Sequence, residues 1–357
     1  MRVEDLTYAY WLARIRGVGT KTIRQLYKYC GSAKEVWHMS GSELKKLYGI
    51  TEEAAARISR SKARWDLDGE WDRLMARGIS FVSLEQQSYP RRLREIYDPP
   101  YGLYYIGHLP EDQAPAVAIV GGRTCSDYGE DIAKRTGKCL AANGVSVISG
   151  MARGIDGYGH EGALSGGGRT FAVLGCGVNV VYPPEHGRLY ERILEKGGIL
   201  SEYPPDMAPR PGFFPMRNRI IAGLSDVLII IEAKEKSGSL ITADCALDQG
   251  KDIYAAPGRV TDPFSAGCNR LIRQGAGILL SPEELVSELS FLQEKNKLPL
   301  EKSERLVYSC LDLHPKSMEK ISEETALDIS SLAEILFALE ERGLVQEAWQ
   351  NHYISVN

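Results

Sequence analysis

The chain has 357 residues, of which 43% are hydrophobic and 25% charged, and its net charge is −4. That length predicts two or three domains, and the composition is that of a soluble globular chain, not a disordered one. No apolar stretch approaches the roughly 18 residues that span a membrane, and Cys30, Cys125, Cys139, Cys176, Cys245, Cys268 and Cys310 form neither a C-x-x-C pair nor a metal-ligand spacing.

The N-terminus, "MRVEDLTYAYWLARIRG", carries acids early and lacks a signal-peptide core, so a cytoplasmic location is expected. Bulk charge does not announce a nucleic-acid binder. Its distribution is uneven, however. Residues 1–100 hold 18 Lys/Arg against 13 Asp/Glu, and residues 291–357 hold 7 against 12. Any polyanion site in the middle must be a local patch.

Residues 1–78 read as short helices joined by tight turns. "IRGVGTKTIRQLYKYCGS" sets Gly17 and Gly19 around a valine, the spacing of a helix-hairpin-helix element in a SAM-like helical domain. Such glycines let backbone N–H groups approach a phosphate. A degenerate copy follows in "LKKLYGITEEAAARIS", and a purely packing role is equally open. Residues 79–112 are rich in Tyr and Pro and read as a connector. From there to 290, short apolar runs alternate with helical segments. Strands are expected at "AVAIV", "VSVIS", "TFAVLG", "GILS", "DVLIII", "DIYAA" and "GILL". The fold class is therefore α/β, with a mostly parallel, doubly wound sheet. Residues 291–302 form a polar linker. Residues 303–357 have three helical stretches and a hairpin-like end, the order of a winged helix. Its third helix, "SSLAEILFALEER", has three Glu and one Arg. Phosphates would repel it, so a structural or protein-contacting role is expected.

Open α/β sheets bind ligands beyond the carboxyl ends of their strands. Those places read "GGRTCSDYG", "SGMARGIDGYGHEGA", "GCGVNVVYPP", "EYPP", "EAKEKSGSLITA" and "PGRVTDPFSAGCN". Gly, Ser, Arg and Thr collect there, the composition for close approach to phosphate oxygens. The first turn is not G-x-G-x-x-G, and no P-loop occurs. Asp156, Glu202 and Glu232 stand at this edge, unpaired. Ser149, His160 and Asp156 have no sequence ground for a triad, and His160 reads as a helix surface or core residue.

In "FFPMRNRIIAGL", Arg217 shares the buried face with Ile220, Ile221 and Leu224. It stands between an internal ion pair and a ligand phosphate. Arg219 lies opposite, with Ala222 and Gly223, where small residues would admit another segment, such as a second copy of the chain. Phe213 and Phe214 stand between base stacking and anchoring the loop.

These motifs, with "VLGCGVNVVYPPEH" and "YPRRLREIYDPPYGLYYIG", resemble the DprA/Smf family of DNA-processing proteins over about residues 88–280. Gly122 departs from the serine many members carry in that turn. The resemblance implies an extended Rossmann-like domain over 79–290, in a non-enzymatic homodimer that binds single-stranded DNA without sequence preference, protects it, and loads RecA recombinase on it in natural transformation. It implies no cofactor and no metal. By resemblance Gly121, Arg123, Ser149, Gly150, Phe214, Arg217, Asn218, Ser237, Gly238 and Ser239 face the DNA, and Arg219 is grouped with them. The competing reading is a phosphoribohydrolase-like nucleotide enzyme on a similar sheet. Its P-G-G-x-G-T-x-x-E stretch is missing at "KSGSLITAD". A pure scaffold would bind no oligonucleotide.

Overall fold

In a computed structural model the described residues are 3–288, 301–312 and 314–356. They belong to two compact units, Met1–Pro282 and Glu283–Asn357. The expected linker at 291–302 lies almost wholly outside the described residues.

The first unit begins with α1 (Val3–Ala13), α2 (Thr20–Cys30), α3 (Ala33–His38), α4 (Gly41–Lys46), α5 (Glu52–Lys62) and α6 (Leu67–Ala76). Ser32, Ser40, Thr51 and Asp66 cap α3 to α6 with their side chains. Strand β1 (Ser80–Ser83), helix α7 (Arg91–Arg94) and strand β2 (Gly102–Gly107) follow. The connector expected at 79–112 thus supplies two strands. They are hidden in the sequence because tyrosines and prolines around them signal turns, and each has a buried run only three residues long.

The seven strands expected from the sequence are all present. They are β3 (Ala116–Gly121), β4 (Ser146–Ser149), β5 (Thr170–Val173), β6 (Gly198–Ser201), β7 (Val227–Ile231), β8 (Asp252–Ala255) and β9 (Gly277–Ile278). Interleaved are α8 (Asp127–Ala142), α9 (Ile155–Ser165), α10 (Gly187–Lys196), α11 (Phe213–Leu224), α12 (Gly238–Asp248) and α13 (Ala266–Arg273). The sheet order is β1-β2-β6-β5-β4-β3-β7-β8-β9. β3 to β9 run parallel, and β2 joins β6 antiparallel. The central strands β4, β5 and β7 are buried along their whole length, and β3 up to its last residue, as both faces carry helices. After β3 the chain winds outward to β6, then returns to the other side of β3 for β7. The order therefore reverses between β3 and β7, where a doubly wound sheet opens a crevice.

The division expected at residue 78 does not separate two compact bodies. Tyr10, Trp11 and Leu12 share one core with Phe81, Leu103 and Tyr104. The Tyr10 ring meets Phe81 and Tyr104 edge-on, at 5.5 and 6.1 Å. Arg77, just after α6, grips Asp206 through two 2.7 Å hydrogen bonds. The helices and the edge strands thus complete each other's apolar faces.

The second unit has α14 (Lys302–Ser309), β10 (Lys316–Ser317), α15 (Met318–Thr325), α16 (Ile329–Glu341), β11 (Val345–Trp349) and β12 (His352–Ser355). Its sheet order is β10-β12-β11, antiparallel. This is the element order of a winged helix. Leu332, Leu336 and Leu339 of α16 are buried in its own small core, leaving Glu334, Glu340 and Glu341 exposed. No helix among the described residues is long and apolar enough to cross a membrane.

A shared core makes a clear prediction. Trp11→Ala should cost about 3–5 kcal/mol. Four of the five tryptophans lie between residues 11 and 71, so fluorescence reports the helical region and far-UV circular dichroism the whole unit. Both transitions should shift together in urea. A shift confined to fluorescence would mean that residues 1–78 unfold alone.

Candidate nucleic-acid interface

A groove of about 710 Å³ opens at the reversal between β3 and β7. The turn after β3 is tied to the end of β7, where Gly122 N–H donates to the Glu232 carbonyl at 2.7 Å. A Cβ at Gly122 would stand 2.6 Å from the Thr124 carbonyl oxygen. The glycine that departs from the family's serine is therefore matched to this tight turn. The Glu232 carboxylate accepts from Ser126 N–H at 2.7 Å and from the Ser126 hydroxyl. Ser126 in turn caps α8. Glu232 is thus a buried fastener between β7 and α8.

Arg217 forms the floor. It is 4% exposed. One terminal nitrogen donates to the Gly150 carbonyl at 2.9 Å and to the Val173 carbonyl. Its Nε donates to Asn218 Oδ1 at 3.2 Å. The guanidinium thereby ties the carboxyl ends of β4 and β5 to α11. A Cβ at Gly150 would strike this guanidinium. Asp156, at the start of α9, accepts from Gly150 N–H at 3.1 Å and Ala152 N–H at 3.4 Å. Burial raises the Asp156 pKa, while the Arg217 charge and the backbone donors hold it down. Burial lowers the Arg217 pKa, and the Asp156 charge opposes this. The two charges support one another below the groove. The guanidinium spends its hydrogen bonds on backbone carbonyls and Asn218, not on a carboxylate, so the internal ion pair that the sequence offered does not form, while Arg217 still lines the groove.

The rim differs. Arg123 is exposed and lies 5.3 Å above the Phe214 ring centre. Tyr182 approaches the same ring at 5.5 Å. A second pair also lines the groove, with Lys234 4.7 Å above Phe264. Lys236 and the Ser237–Gly238–Ser239 start of α12 line it as well. The first turn of α12 has no acid, so its positive helix end faces the groove unopposed. Among the charged residues lining the groove, Arg123, Arg217, Lys234 and Lys236 stand against Asp156 alone. Cations held over aromatic rings around an open groove suit a strand that offers phosphates and flat bases in alternation.

Sequence reasoning brought Gly121, Arg123, Phe214, Arg217, Asn218, Ser237, Gly238 and Ser239 to this groove, and they line it. Asn218 is buried, and its amide reaches the Gly238 carbonyl at 3.4 Å, positioning α12. Gly150 lines an adjoining cleft under Tyr182. Ser149 is fully buried, and its hydroxyl donates to the Ile119 carbonyl at 2.6 Å, so it cannot face a ligand. Arg219 points away. It donates to both Glu202 oxygens at 2.8 and 3.0 Å and to Asp98 at 3.2 Å. Two residues after Arg217, it falls on the other side of α11. Gly223 packs on Leu93 and Ile96 of the same chain, so the small-residue face offered for a second copy is already covered. Phe213 stacks on Tyr203 at 4.1 Å and anchors the loop. Lys234, Lys236, Tyr182 and Phe264 were missed, although their motifs had been noted. Only the loop paths turn them into the groove.

A triad is absent. His160 Nδ1 pairs with Thr170 Oγ1 at 2.6 Å, while Ser149 and Asp156 have the other partners given above.

The DNA recombination-mediator protein A family model matches residues 80–290, more than half of the chain. The chain belongs to that family. A Protein Smf of Synechocystis sp. (strain PCC 6803) is 31% identical over 383 aligned residues, covering 95% of this chain and 96% of its own. The X-ray structure of DNA processing protein A from Streptococcus pneumoniae superposes with a TM-score of 0.70 at 34% identity, over 79% of this chain and 97% of its own. DNA processing protein A from Helicobacter pylori, a structure concerned with its single-stranded DNA binding mode, gives 0.53 at 31% identity, over 59% and 95%. The family match thus centres on the sheet that carries the groove.

Two predictions follow from the floor. Arg217→Ala should leave the Gly150 and Val173 carbonyls without their donor and take the compensating charge away from Asp156, each buried group left unmet costing about 1–3 kcal/mol. Its melting temperature should fall. Native stability with wild-type urea sensitivity would mean that the guanidinium is not a fastener. The second concerns His160, whose pKa burial lowers to about 3 from the ordinary 6.5. The unfolded imidazole takes up its proton first. Its share of stability is complete above about pH 6.5 and is lost as pH falls toward 3. Urea titrations should therefore show about 2 kcal/mol of His160-linked loss between pH 7 and pH 5. His160→Asn should remove that component, and an unchanged pH dependence would refute it.

Proposed function

We propose that the groove holds single-stranded DNA without regard to sequence, and that the chain does no covalent chemistry. As a homodimer it protects the strand and loads RecA on it during natural transformation or homologous recombination. The observation that carries the strand-binding reading is the rim, where Arg123 over Phe214 and Lys234 over Phe264 both line one open groove. Phosphates meet the cations, and a base meets a ring. The single-stranded DNA of the H. pylori relative supports the ligand class. RecA and the homodimer rest on family membership alone. The nucleotide-enzyme alternative loses ground because Asp156, Glu202 and Glu232 are each engaged in holding the fold. Free base released from nucleoside monophosphates, by a route that Glu232→Gln blocks, would revive it.

The test is binding of a fluorescent hexanucleotide across salt concentrations. Three rim cations should give a log–log slope of roughly −2, at about −0.7 per phosphate. Lys234→Ala or Arg123→Ala should flatten it by about one contact. Phe214→Ala should weaken binding by roughly 1–3 kcal/mol and leave the slope nearly unchanged. A duplex should bind worse, since its bases are already stacked. Wild-type affinity and slope in all three variants would sink the reading. Removing residues 303–357 should leave hexanucleotide affinity within about tenfold, because α16 presents carboxylates to solvent.

A further inference from the structure

The groove leaves a second feature of the chain unexplained. From residue 6 to residue 34 there is no Asp or Glu, while Arg14, Arg16, Lys21, Arg24, Lys28 and Lys34 all occur there. Lys21, Arg24 and Lys28 recur at helical spacing along one face of α2, all exposed, opposite the buried Ile23 and Leu26. The face is extended by the next hairpin. Gln25 of α2 donates to the Tyr48 carbonyl at 3.1 Å. This sets Tyr48, 83% exposed, beside the cations. Lys45 and Lys46 precede it in sequence and are also exposed. Nearby Glu43 is occupied in its own capping box with Ser40. Among the described residues, Lys21, Arg24, Lys28, Lys45 and Lys46 are in no ion pair.

The position of this face is set by a hydrogen bond. Tyr27 of α2 meets the Tyr101 hydroxyl at 2.9 Å. Tyr101 immediately precedes β2, which runs antiparallel to β6 with Tyr104 opposite Ser201. Tyr101 therefore lies at the carboxyl edge of the parallel strands, the edge that opens into the groove. Four strand spacings separate β2 from β3, or about 20 Å. A stacked strand covers that in about six nucleotides at ~3.4 Å each.

We propose that the α2 face and Tyr48 form a second binding surface for the nucleic-acid backbone, which takes the strand onward from the groove. The proposal rests on the groove reading for the path of the strand, though not for the chemistry of the face. A solvated cationic face needs no aromatic ring. Here a nearly bare tyrosine is held by its own backbone beside the positive row, which matches a polyanion with flat groups better than a plain anion.

The experiment uses the full chain with a hexanucleotide and a 30-nucleotide strand. The wild-type protein should bind the longer strand more tightly, with a slope near −4 from about six contacts. The triple variant Lys21→Ala, Arg24→Ala, Lys28→Ala should bind the hexanucleotide normally. On the longer strand it should lose roughly tenfold or more at about 50 mM salt, and its slope should return to about −2. Tyr48→Ala should weaken the longer complex without changing the slope. Unchanged binding of the longer strand by the triple variant would overturn the proposal. Loss of binding to phosphatidylglycerol vesicles with DNA binding intact would also overturn it, by making the face a membrane surface. If Lys234→Ala with Lys236→Ala leaves both strands bound normally while the α2 variant weakens the longer one, the groove reading falls and the α2 face stands.

Discussion

The binding edge depends on one buried guanidinium. Arg217 stands where β4, β5 and α11 meet, and its donors take the carbonyls of Gly150 and Val173. Carbonyls at the ends of parallel strands have no further partner in the sheet and must be satisfied by something. A cation is costly to bury, and the nearby charge of Asp156, itself held by two backbone donors of the loop after β4, offsets part of that cost. Charge, counter-charge and orphan backbone groups are satisfied together. The glycine-rich loops can then stay open above a rigid floor.

That division separates structural charge from ligand-facing charge. The floor cation has its hydrogen bonds within the protein, so it shapes the groove and adds a fixed positive field. Two of the rim cations, Arg123 and Lys234, have ring faces beneath them instead of carboxylates. A cation over a ring keeps its charge for an incoming anion, whereas one in an ion pair must first give up its partner. Arg153 shows the contrast, since it is exposed near the groove but paired with Glu185. Arg219, on the far side of α11, is consumed by Glu202 and Asp98 in the same way.

The sequence by itself determined the sheet and its edge. Seven apolar runs are long enough and regular enough to be strands, and the residues between them have the helical period. Glycine and serine at the strand ends mark the binding edge because close backbone approach needs them. The face of α11 that carries Arg217 with Ile220, Ile221 and Leu224 is also legible, since helical periodicity is a local property. Tertiary structure decided the rest. Whether Arg217 meets a ligand or a carbonyl depends on where two other strands end. Ser149 is at a strand end but turns to Ile119, and Gly223 is small but already covered by Leu93 and Ile96. Lys234, Phe264 and Tyr182 come from three loops that are distant in sequence, and only the reversal of strand order between β3 and β7 brings them around one groove. The edge strands and the helical region likewise merge because each lacks a complete apolar face, a condition of packing that no local pattern records.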